Sequence, residues 1–241
     1  MNRSDTPPTM DADALRKAVE WAIVSRRSIR AFLPTPVPQE TVELILDVAR
    51  FAATGVNMQP WRVHVVTGPA KDRLCAAIQG ATADLALDET YIDESDYYPR
   101  EWISPYLERK RAVGWRLYGL LGIQKGDKER MHAQHSRNYQ FFDAPVGLLF
   151  TIDRVMQKGS LVEYGMFLQN IMIAARAHGL STCPQAAFVK YQKVITDELR
   201  LGASEKFVVG MSLGFEDPSR IENTLVTERE EVASFTAFHS D

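Results

Sequence analysis

Apolar residues recur along this chain with two different periods, and each period predicts a type of secondary structure. In the first helical stretch the recurring apolar residues are Ala14, Leu15, Ala18, Val19, Ala22 and Ile23. The same spacing predicts further helices over 39–53, 69–79, 106–121, 160–179 and 189–201. Alternating or continuous apolar runs predict strands over 62–68, 145–153, 180–183 and 206–215. Helices interspersed with about four short strands predict one α+β domain around a mixed sheet.

The predicted helix 160–179 is apolar almost all round. Its apolar positions include Leu161, Val162, Phe167, Leu168, Ile171, Met172, Ile173 and Ala174. A helix of this kind is buried on more than one side. Two environments satisfy that requirement, the centre of a monomer's core or a twin helix in a dimer. Gly179 is expected to end the helix in the left-handed conformation that glycine tolerates.

Prolines and polar residues mark the segments between these elements. Residues 1–11 are rich in Ser, Thr, Asp and Pro and are predicted to be disordered. Asp11 or Asp13 is expected to cap the first helix. The run RRSIRAFLPTPVP contains three prolines that a helix interior excludes, so it is predicted to be an extended loop.

Two further segments lack a clear period. Residues 80–105 are acidic and aromatic and are predicted to form an irregular excursion, and residues 216–241 form a polar tail with Phe235 and Phe238 near its end.

Composition narrows the class of protein. The chain has 241 residues, of which 45% are hydrophobic, and a net charge of -3. That mild acidity argues against sequence-independent binding of nucleic acid. The two cysteines, Cys75 and Cys183, lie far apart, so a disulfide framework or a structural zinc site is not expected. The polar first residues lack the apolar run of a signal peptide, and a cytoplasmic location without membrane contact is predicted.

Four clusters have the chemistry to bind a ligand, and each also has an ordinary structural explanation. Arg26, Arg27, Ser28 and Arg30 suit a phosphate group, although basic surface turns are common. The amides of Asn57 and Gln59 match the alternating donors and acceptors of a flavin's pyrimidine edge, although a turn before a strand also explains them.

The third and fourth clusters are weaker taken singly. The loop Pro184, Gln185, Ala186 and Ala187, which follows Cys183, has small residues that let its backbone approach a ligand, or it is an ordinary connection. Arg229 has glutamates beside it and becomes a candidate only if the fold brings it to the first cluster.

The order of these motifs resembles the nitroreductase family of flavoproteins. RRSIRAFLPTPVP is followed by GVNMQPWRVHVVTG, GMFLQNIMIAARAHGLSTCPQAAF, VVGMSLGFEDP and a late arginine. The resemblance covers about residues 20 to 235. It implies a nitroreductase-like α+β fold with a mixed, mainly antiparallel sheet, and an intertwined homodimer with FMN in two sites at the subunit interface.

The resemblance also implies a division of the chain and a set of FMN contacts. Residues 12–241 would form one FMN-binding domain, with 80–142 as a substrate-channel excursion and 216–241 as a tail that embraces the partner. The cofactor-binding residues would be Arg26, Arg27, Ser28, Arg30, Ala53, Thr54, Gly55, Asn57, Gln59, Pro184, Gln185, Ala186, Ala187 and Arg229. Many members have Pro and Ser where this chain has Ala53 and Thr54, and some have a basic residue where it has Thr227.

The implied chemistry needs no catalytic side chain, because the flavin carries it. NAD(P)H would give hydride to the flavin, and a planar, electron-poor acceptor would then take it in the same slot, by a ping-pong mechanism. A nitroaromatic reduced from nitro to hydroxylamine is the expected acceptor. The sequence leaves the choice between NADH and NADPH open, since no dinucleotide-binding fingerprint is present.

Aromatic residues in 91–142 are candidates for the acceptor slot, although most are expected to pack helices. The four selected are Trp102, Tyr139, Phe141 and Phe142. Nearby basic residues such as Arg109 and Arg116 would favour an acidic aromatic, but solvent exposure explains them as well. His132 and His135 lie one helical turn apart without a third ligand, so no metal is expected.

Other functions remain open at this point. The same flavin chemistry serves activated alkenes, quinones, free flavins and halogenated aromatics, or an enzyme that consumes its own flavin. A non-catalytic FMN-binding or redox-sensing protein is the alternative from another class.

Overall fold

The computed structural model describes residues 11–83 and 97–240 and confirms an α+β fold. The helices in this part of the chain are α1 (Ala12–Ser25), α2 (Gln39–Ala49), α3 (Gly68–Ala83), α4 (Tyr106–Leu120), α5 (Lys128–Ser136), α6 (Lys158–Ala177) and α7 (Gln192–Leu199). The strands are β1 (Trp61–Thr67), β2 (Val146–Asp153), β3 (Ser181–Gln185) and β4 (Glu205–Gly214). Short 3-10 helices cover Gly55–Asn57, Arg137–Asp143, Ala186–Tyr191, Ile221–Thr224 and Val232–Ser234.

The four strands form one sheet in the order β1-β2-β4-β3, so that β1 and β3 are its edges within a single chain. Each neighbouring pair is antiparallel. The parallel component of the predicted mixed sheet is the isolated bridge between Ser28 and Thr182, outside the named strands. β2 is buried along nearly its whole length, which explains its continuous apolar run.

Hydrophobic clusters cover both faces of the sheet. On one face, α2 and α6 pack on the strands, and Trp61 stacks on Phe167 with ring centroids 4.5 Å apart. On the other face, α3 and α7 cover a cluster that contains Tyr139 and Phe141. A Cβ at Gly147 would lie 2.5 Å from the Phe141 ring, so this strand position must be glycine for the ring to pack there.

Local sequence signals account for several element ends. Asp11 caps α1, since its carboxylate accepts a hydrogen bond from the Ala14 N–H at 3.3 Å. Gly179 follows α6 with φ +70°, as expected. Helix α2 ends at Ala49 rather than at residue 53, and α3 continues to Ala83 within the predicted excursion.

Two predictions differ more from the structure. The predicted helix 189–201 begins as the 3-10 helix Ala186–Tyr191 and becomes α-helical only from Gln192. Helix α5 was not predicted, because it buries no residue and therefore has no apolar period. The predicted disorder of residues 1–11 falls almost entirely outside the described residues, as does much of the 80–105 excursion.

Helix α6 is buried on one side only within a single chain. Phe167 and Ile171 are covered by the sheet, whereas Leu161, Val162 and Met166 remain 48%, 69% and 39% exposed. The centre of a monomer's core is therefore the wrong interpretation of this helix. No helix in the described part of the chain is long and apolar enough to cross a membrane.

Glu205 makes a hydrogen-bonded cluster that is expected to make stability depend on acid pH. Its carboxylate accepts hydrogen bonds from the Thr151 hydroxyl and, at 2.8 Å, from His64 Nε2. Burial acts to raise the pKa of Glu205, but these bonds outweigh burial and lower the pKa below its ordinary value of 4.5. A lowered folded-state pKa gives stability that is present above the unfolded-state pKa and is lost as pH falls through the folded-state pKa.

Replacing the carboxylate tests that dependence. Glu205→Gln is expected to lower the free energy of unfolding by about 2 kcal/mol at neutral pH, because hydrogen bonds to a charged group in a half-buried site are lost. Its melting temperature should also fall less than that of the parent as the pH is lowered from about 6 to about 3. Glu129→Gln, at an exposed position on α5, is the control and should follow the parent. Equal acid sensitivity of Glu205→Gln and the parent would contradict this account of Glu205.

Candidate functional site

The arginine-rich segment 26–30 lies along the β3 edge of the sheet. Ser28 forms a parallel bridge with Thr182, and the Ile29 N–H donates to the Thr182 carbonyl at 3.1 Å. Ile29 is buried beneath the segment, whereas the arginines on either side of it are half-buried. This extended backbone matches the loop predicted from its prolines.

A cavity of about 720 Å³ opens beside this segment, and we call it the arginine cavity. Its charged and hydroxyl-bearing lining residues are Ser25, Arg26, Arg27, Ser28, Arg30, Arg176, Thr227 and Arg229. The fold therefore brings Arg229 to the first cluster across about two hundred residues of sequence, the condition that made it a candidate.

Most of these guanidinium groups lack a carboxylate partner among the described residues. Arg27 is the exception, since its Nη2 lies 3.1 Å from Glu216 Oε1. The guanidinium groups of Arg30 and Arg229 donate only to oxygens of neutral groups. Arg30 donates to the Ser28 carbonyl, and Arg229 donates to the Thr227 hydroxyl and to backbone carbonyls that include that of Thr227. Unbalanced positive charge in a partly enclosed cavity favours binding of an anion.

The electrostatics of Arg26 point the same way. Burial lowers its pKa, and the positive charge of Arg229 lowers it further. Two cations that destabilise one another in this way are both stabilised when a phosphate binds between them.

A second cavity, of about 250 Å³, adjoins the first, and we call it the loop cavity. Its lining includes the predicted residues Arg30, Phe142, Pro184, Gln185, Ala186 and Ala187. Arg30 lines both cavities, so the two lie on either side of its side chain. The Gln185 side chain is held by hydrogen bonds within the protein, because its amide nitrogen donates to Asn138 O at 2.7 Å and its amide oxygen accepts from Ser212 Oγ at 2.6 Å.

The lining residues that were missed from the sequence include Arg176 and Gln134. Arg176 lines the arginine cavity and is held by Ser25 Oγ at 3.2 Å; the signal was a lone cation in the last turn of an apolar helix. Gln134 lines the loop cavity, and its Nε2 is buried without a hydrogen-bond partner. No sequence signal marked Gln134, since its helix, α5, has no apolar period. A buried amide donor of this kind is expected to bond an oxygen of a ligand.

The loop with Asn57 and Gln59 lies elsewhere. It precedes β1, which is the edge of the sheet opposite β3, and neither residue lines the arginine cavity or the loop cavity. Both side chains are exposed, as is Ala53, and the loop is tied to α6 by a hydrogen bond of 2.9 Å from the Gly55 N–H to Glu163 Oε1. One chain therefore does not bring this loop to the arginine cavity.

The same loop has a strained backbone. Val56, Asn57 and Gln59 have φ values of 45°, 59° and 47°, although none is glycine. Such conformations are costly for a β-branched residue such as Val56 and are concentrated at functional sites. Thr54, which precedes the turn, is extended and half-buried.

The predicted acceptor-slot aromatics are divided by the structure. Tyr139 and Phe141 are 4% and 0% exposed and belong to the core beside Phe188, and neither lines the arginine cavity or the loop cavity. Phe142 is also buried but lines the loop cavity. Trp102 lies outside the lining of both cavities, with Lys110 Nζ 3.9 Å from its ring centroid.

Two arginines of α4 form ion pairs with the C-terminal tail. Arg109 Nη2 lies 2.7 Å from Glu230, and Arg116 Nη1 lies 3.1 Å from Glu228. These arginines bind the tail on either side of Arg229, which weakens the case that they attract an acidic aromatic. Among the described residues there is no group of side chains suited to a metal ion.

Comparison with known proteins identifies what this chain is similar to. A family model described as "Nitroreductase family" matches residues 23–215. The 4-nitrobenzoate reductase of Pseudomonas putida is 41% identical over 216 residues, which cover 90% of this chain and 93% of the relative. The nitrobenzene nitroreductase of Ectopseudomonas oleovorans is 39% identical over 220 residues, covering 91% and 96%. Among solved structures, the FMN and NADPH-dependent nitroreductase NfnB from Sphigopyxis sp. strain HMH has a TM-score of 0.89 at 32% identity, covering 92% of this chain and 99% of that one.

Proposed function

Because this chain belongs to the nitroreductase family, we propose that it is an FMN-dependent oxidoreductase that transfers hydride from NADPH or NADH to a small, planar nitroaromatic. The observation that carries this proposal is the pair of cavities that share Arg30, one with unpaired arginines and the other with Pro184, Ala186 and Ala187 in its lining. The NfnB neighbour depends on FMN and NADPH, and the Pseudomonas putida relative is named for 4-nitrobenzoate.

The arginine cavity fits the phosphate of FMN. A phosphate monoester carries nearly two negative charges at neutral pH, and Arg26, Arg30 and Arg229 offer guanidinium donors that no carboxylate of the described residues neutralises. Arg27 is bound to Glu216 and is better placed to hold the segment than to bind phosphate. Ser28 adds a hydroxyl to the lining of the same cavity.

The loop cavity fits the ring system. Ala186 and Ala187 present no bulk beyond a methyl group, so backbone N–H groups in this loop are accessible to a planar ligand. Pro184 contributes an apolar surface for a ring to lie against. Arg30 lies between the two cavities, where its positive charge favours the added negative charge of a reduced cofactor. FMN, when bound, supplies the redox chemistry, and the chain supplies orientation and charge.

The rest of the site is proposed to come from a second copy of this chain. Asn57 and Gln59, with Ala53, Thr54 and Gly55 before them, lie at the β1 edge and would complete the partner's site. A large exposed apolar surface supports such a homodimer. It includes Val19, Trp21, Val24, Leu44, Val48, Leu161, Val162 and Met166.

The C-terminal tail is proposed to take part in that interface. Phe235 and Phe238 are 70% and 88% exposed, and β1 offers an unpaired edge with Val65 exposed in the same chain. Exposed aromatic residues and an open strand edge are both costly for a monomer. Embracing a partner would cover them.

The excursion is proposed to bound the acceptor slot. Leu117 and Tyr118 of α4 and Tyr98 before it line the loop cavity opposite Pro184. Gln134 adds the unpartnered amide donor, which suits an oxygen of a nitro or carboxylate group. Trp102 does not line the loop cavity itself but contacts Tyr98, with ring centroids 5.7 Å apart. A cytoplasmic location remains a prediction from composition.

The reaction expected at this site proceeds in successive two-electron steps. Each step delivers one hydride and one proton, so that nitro becomes nitroso with loss of water, and nitroso becomes hydroxylamine. Because no ionisable side chain of the described residues is required to act as acid or base, protons come from solvent.

Turnover with product analysis tests this function. Under anaerobic conditions, FMN-loaded protein is expected to oxidise more than one equivalent of NADPH per flavin only when 4-nitrobenzoate or nitrobenzene is present, with the hydroxylamine as product by liquid chromatography. The parallel assay with NADH identifies the preferred donor. A flavin-loaded protein that oxidises neither nicotinamide with any nitroaromatic would sink the proposal and favour an FMN-binding sensor, whereas oxidation with a quinone alone would change the acceptor class.

A further inference from the structure

The 3-10 helix Ile221–Thr224 in the C-terminal tail carries two buried polar side chains. Glu222 and Asn223 are 1% and 3% exposed, although the residues around them are mostly polar and exposed. Burying an amide or a carboxylate is unfavourable unless its hydrogen-bonding groups are satisfied. The hydrogen bonds of these two side chains go to different parts of the chain, and that difference gives the side chains different roles.

Asn223 is bonded to the arginine-rich segment. Its Oδ1 accepts from the backbone N–H of Arg30 at 2.8 Å, and its Nδ2 donates to the carbonyl of Ala31 at 2.8 Å and to that of Asp217 at 2.9 Å. Its own backbone carbonyl accepts from Arg27 Nη1 at 2.6 Å. The side-chain amide thus forms hydrogen bonds with the backbone N–H of Arg30 and the backbone carbonyl of Ala31.

Backbone hydrogen bonds hold that segment on both of its sides. On the β3 side it is held by the Ser28–Thr182 bridge and the Ile29 N–H bond to Thr182. On the other side the Asp217 N–H donates to the Ala31 carbonyl at 3.1 Å, and Phe32 forms an antiparallel bridge with Glu216. The Arg30 N–H between these contacts is bonded by Asn223 Oδ1, and this bond limits where the Arg30 guanidinium can lie.

We propose that Asn223 is a positioning residue for the phosphate end of the cofactor site. By fixing the backbone at Arg30, its side chain holds the arginine cavity in the form that fits a phosphate, and so gives FMN its advantage over riboflavin. The inference rests on the proposed function, since it assumes that the arginine cavity binds the FMN phosphate.

Glu222 provides a matched control in the same turn. Its carboxylate accepts from Arg137 Nη1 at 2.7 Å and from Arg220 Nη2 at 2.9 Å, and no hydrogen bond joins it to the arginine-rich segment in the described structure. Changing Glu222 disturbs a buried ion pair and therefore the stability of the tail. It leaves the bonds to Arg30 and Ala31 in place.

Comparing two flavins separates positioning from general stability. Apo-protein prepared as Asn223→Ala, Asn223→Ser and Glu222→Gln is titrated with FMN and with riboflavin, and binding is followed by flavin fluorescence. Asn223→Ala is expected to reduce the preference for FMN over riboflavin about tenfold, while riboflavin affinity stays within about threefold. Asn223→Ser keeps a hydroxyl near the Arg30 N–H and should fall in between, and it serves if the alanine variant does not fold. Glu222→Gln should keep the parental preference.

Three outcomes would overturn the inference. Equal loss of both flavins in the Asn223 variants would mean a purely structural role. An equal change of preference in Glu222→Gln would mean that any damage to the turn has the same effect. If the parent protein bound neither flavin, the proposed function itself would fail, which is distinct from the first two results because it concerns the unaltered chain.

Discussion

Changing Arg26 and Arg30 together to alanine is expected to give a folded but colourless protein that binds FMN at least about a hundredfold more weakly. Hydrogen bonds to charged groups contribute about 1.5–3 kcal/mol each, and about 3 kcal/mol already corresponds to more than a hundredfold. The double variant should nevertheless fold, because neither side chain has a carboxylate partner in the described structure. Burial and the charge of Arg229 already lower the pKa of Arg26, so its removal also relieves repulsion.

The absorbance of the purified variant at the flavin bands measures this effect, and its melting temperature without flavin shows whether it folds. A control that also removes two arginines is Arg73→Ala with Arg154→Ala. Arg73 pairs with Glu198, and Arg154 donates to Ala203 O, both away from the two cavities. The control should purify with the flavin content of the parent. A fully yellow Arg26/Arg30 variant would show that the phosphate binds elsewhere.

The second large effect concerns chains that are defective in different halves of the site. Asn57→Ala with Gln59→Ala should, like the arginine variant, give homodimers that are poor in flavin. If each site combines the cavities of one chain with the Asn57 loop of its partner, a heterodimer of the two defective chains has one site with both defects and one intact site. It should recover about half of the parental flavin and activity, a consequence of the two-fold symmetry of a closed dimer.

Co-expression with two different affinity tags isolates that heterodimer. The parent chain carrying the same two tags gives the reference for full occupancy. If both halves of a site belonged to one chain, every site in the heterodimer would keep one defect and the protein would remain colourless. Recovery of flavin therefore distinguishes a shared site from two separate ones. The shared site is the expectation, because neither Asn57 nor Gln59 lines the arginine cavity or the loop cavity of its own chain.

The strands and the phosphate end of the site could be predicted from the sequence for identifiable reasons. β2 and β4 are continuous apolar runs because they are covered on both faces. The arginine-rich segment stood out because charged residues precede prolines that exclude a helix. Its meeting with Arg229 followed from the order of motifs in a known family, since nothing local in Thr227–Glu230 indicates a contact about two hundred residues away.

Other features had no local signal. Helix α5 buries no residue, so its polar sequence has no period to detect. Tyr139 and Phe141 looked like substrate residues because an aromatic side chain in the core and one in a slot have the same sequence signature. Asn223 was missed because a single asparagine in a polar tail is typical of a turn, and only its burial against Arg30 reveals a role.

The central claim, that this chain passes electrons from a nicotinamide through bound FMN to a nitroaromatic, is tested most directly by an anaerobic absorbance titration of the purified holoprotein. The flavin bands should bleach when NADPH or NADH is added in stoichiometric amount, and they should return when 4-nitrobenzoate is added in the absence of oxygen. Bands that ignore both nicotinamides, or that bleach and do not return with any nitroaromatic, would contradict the account.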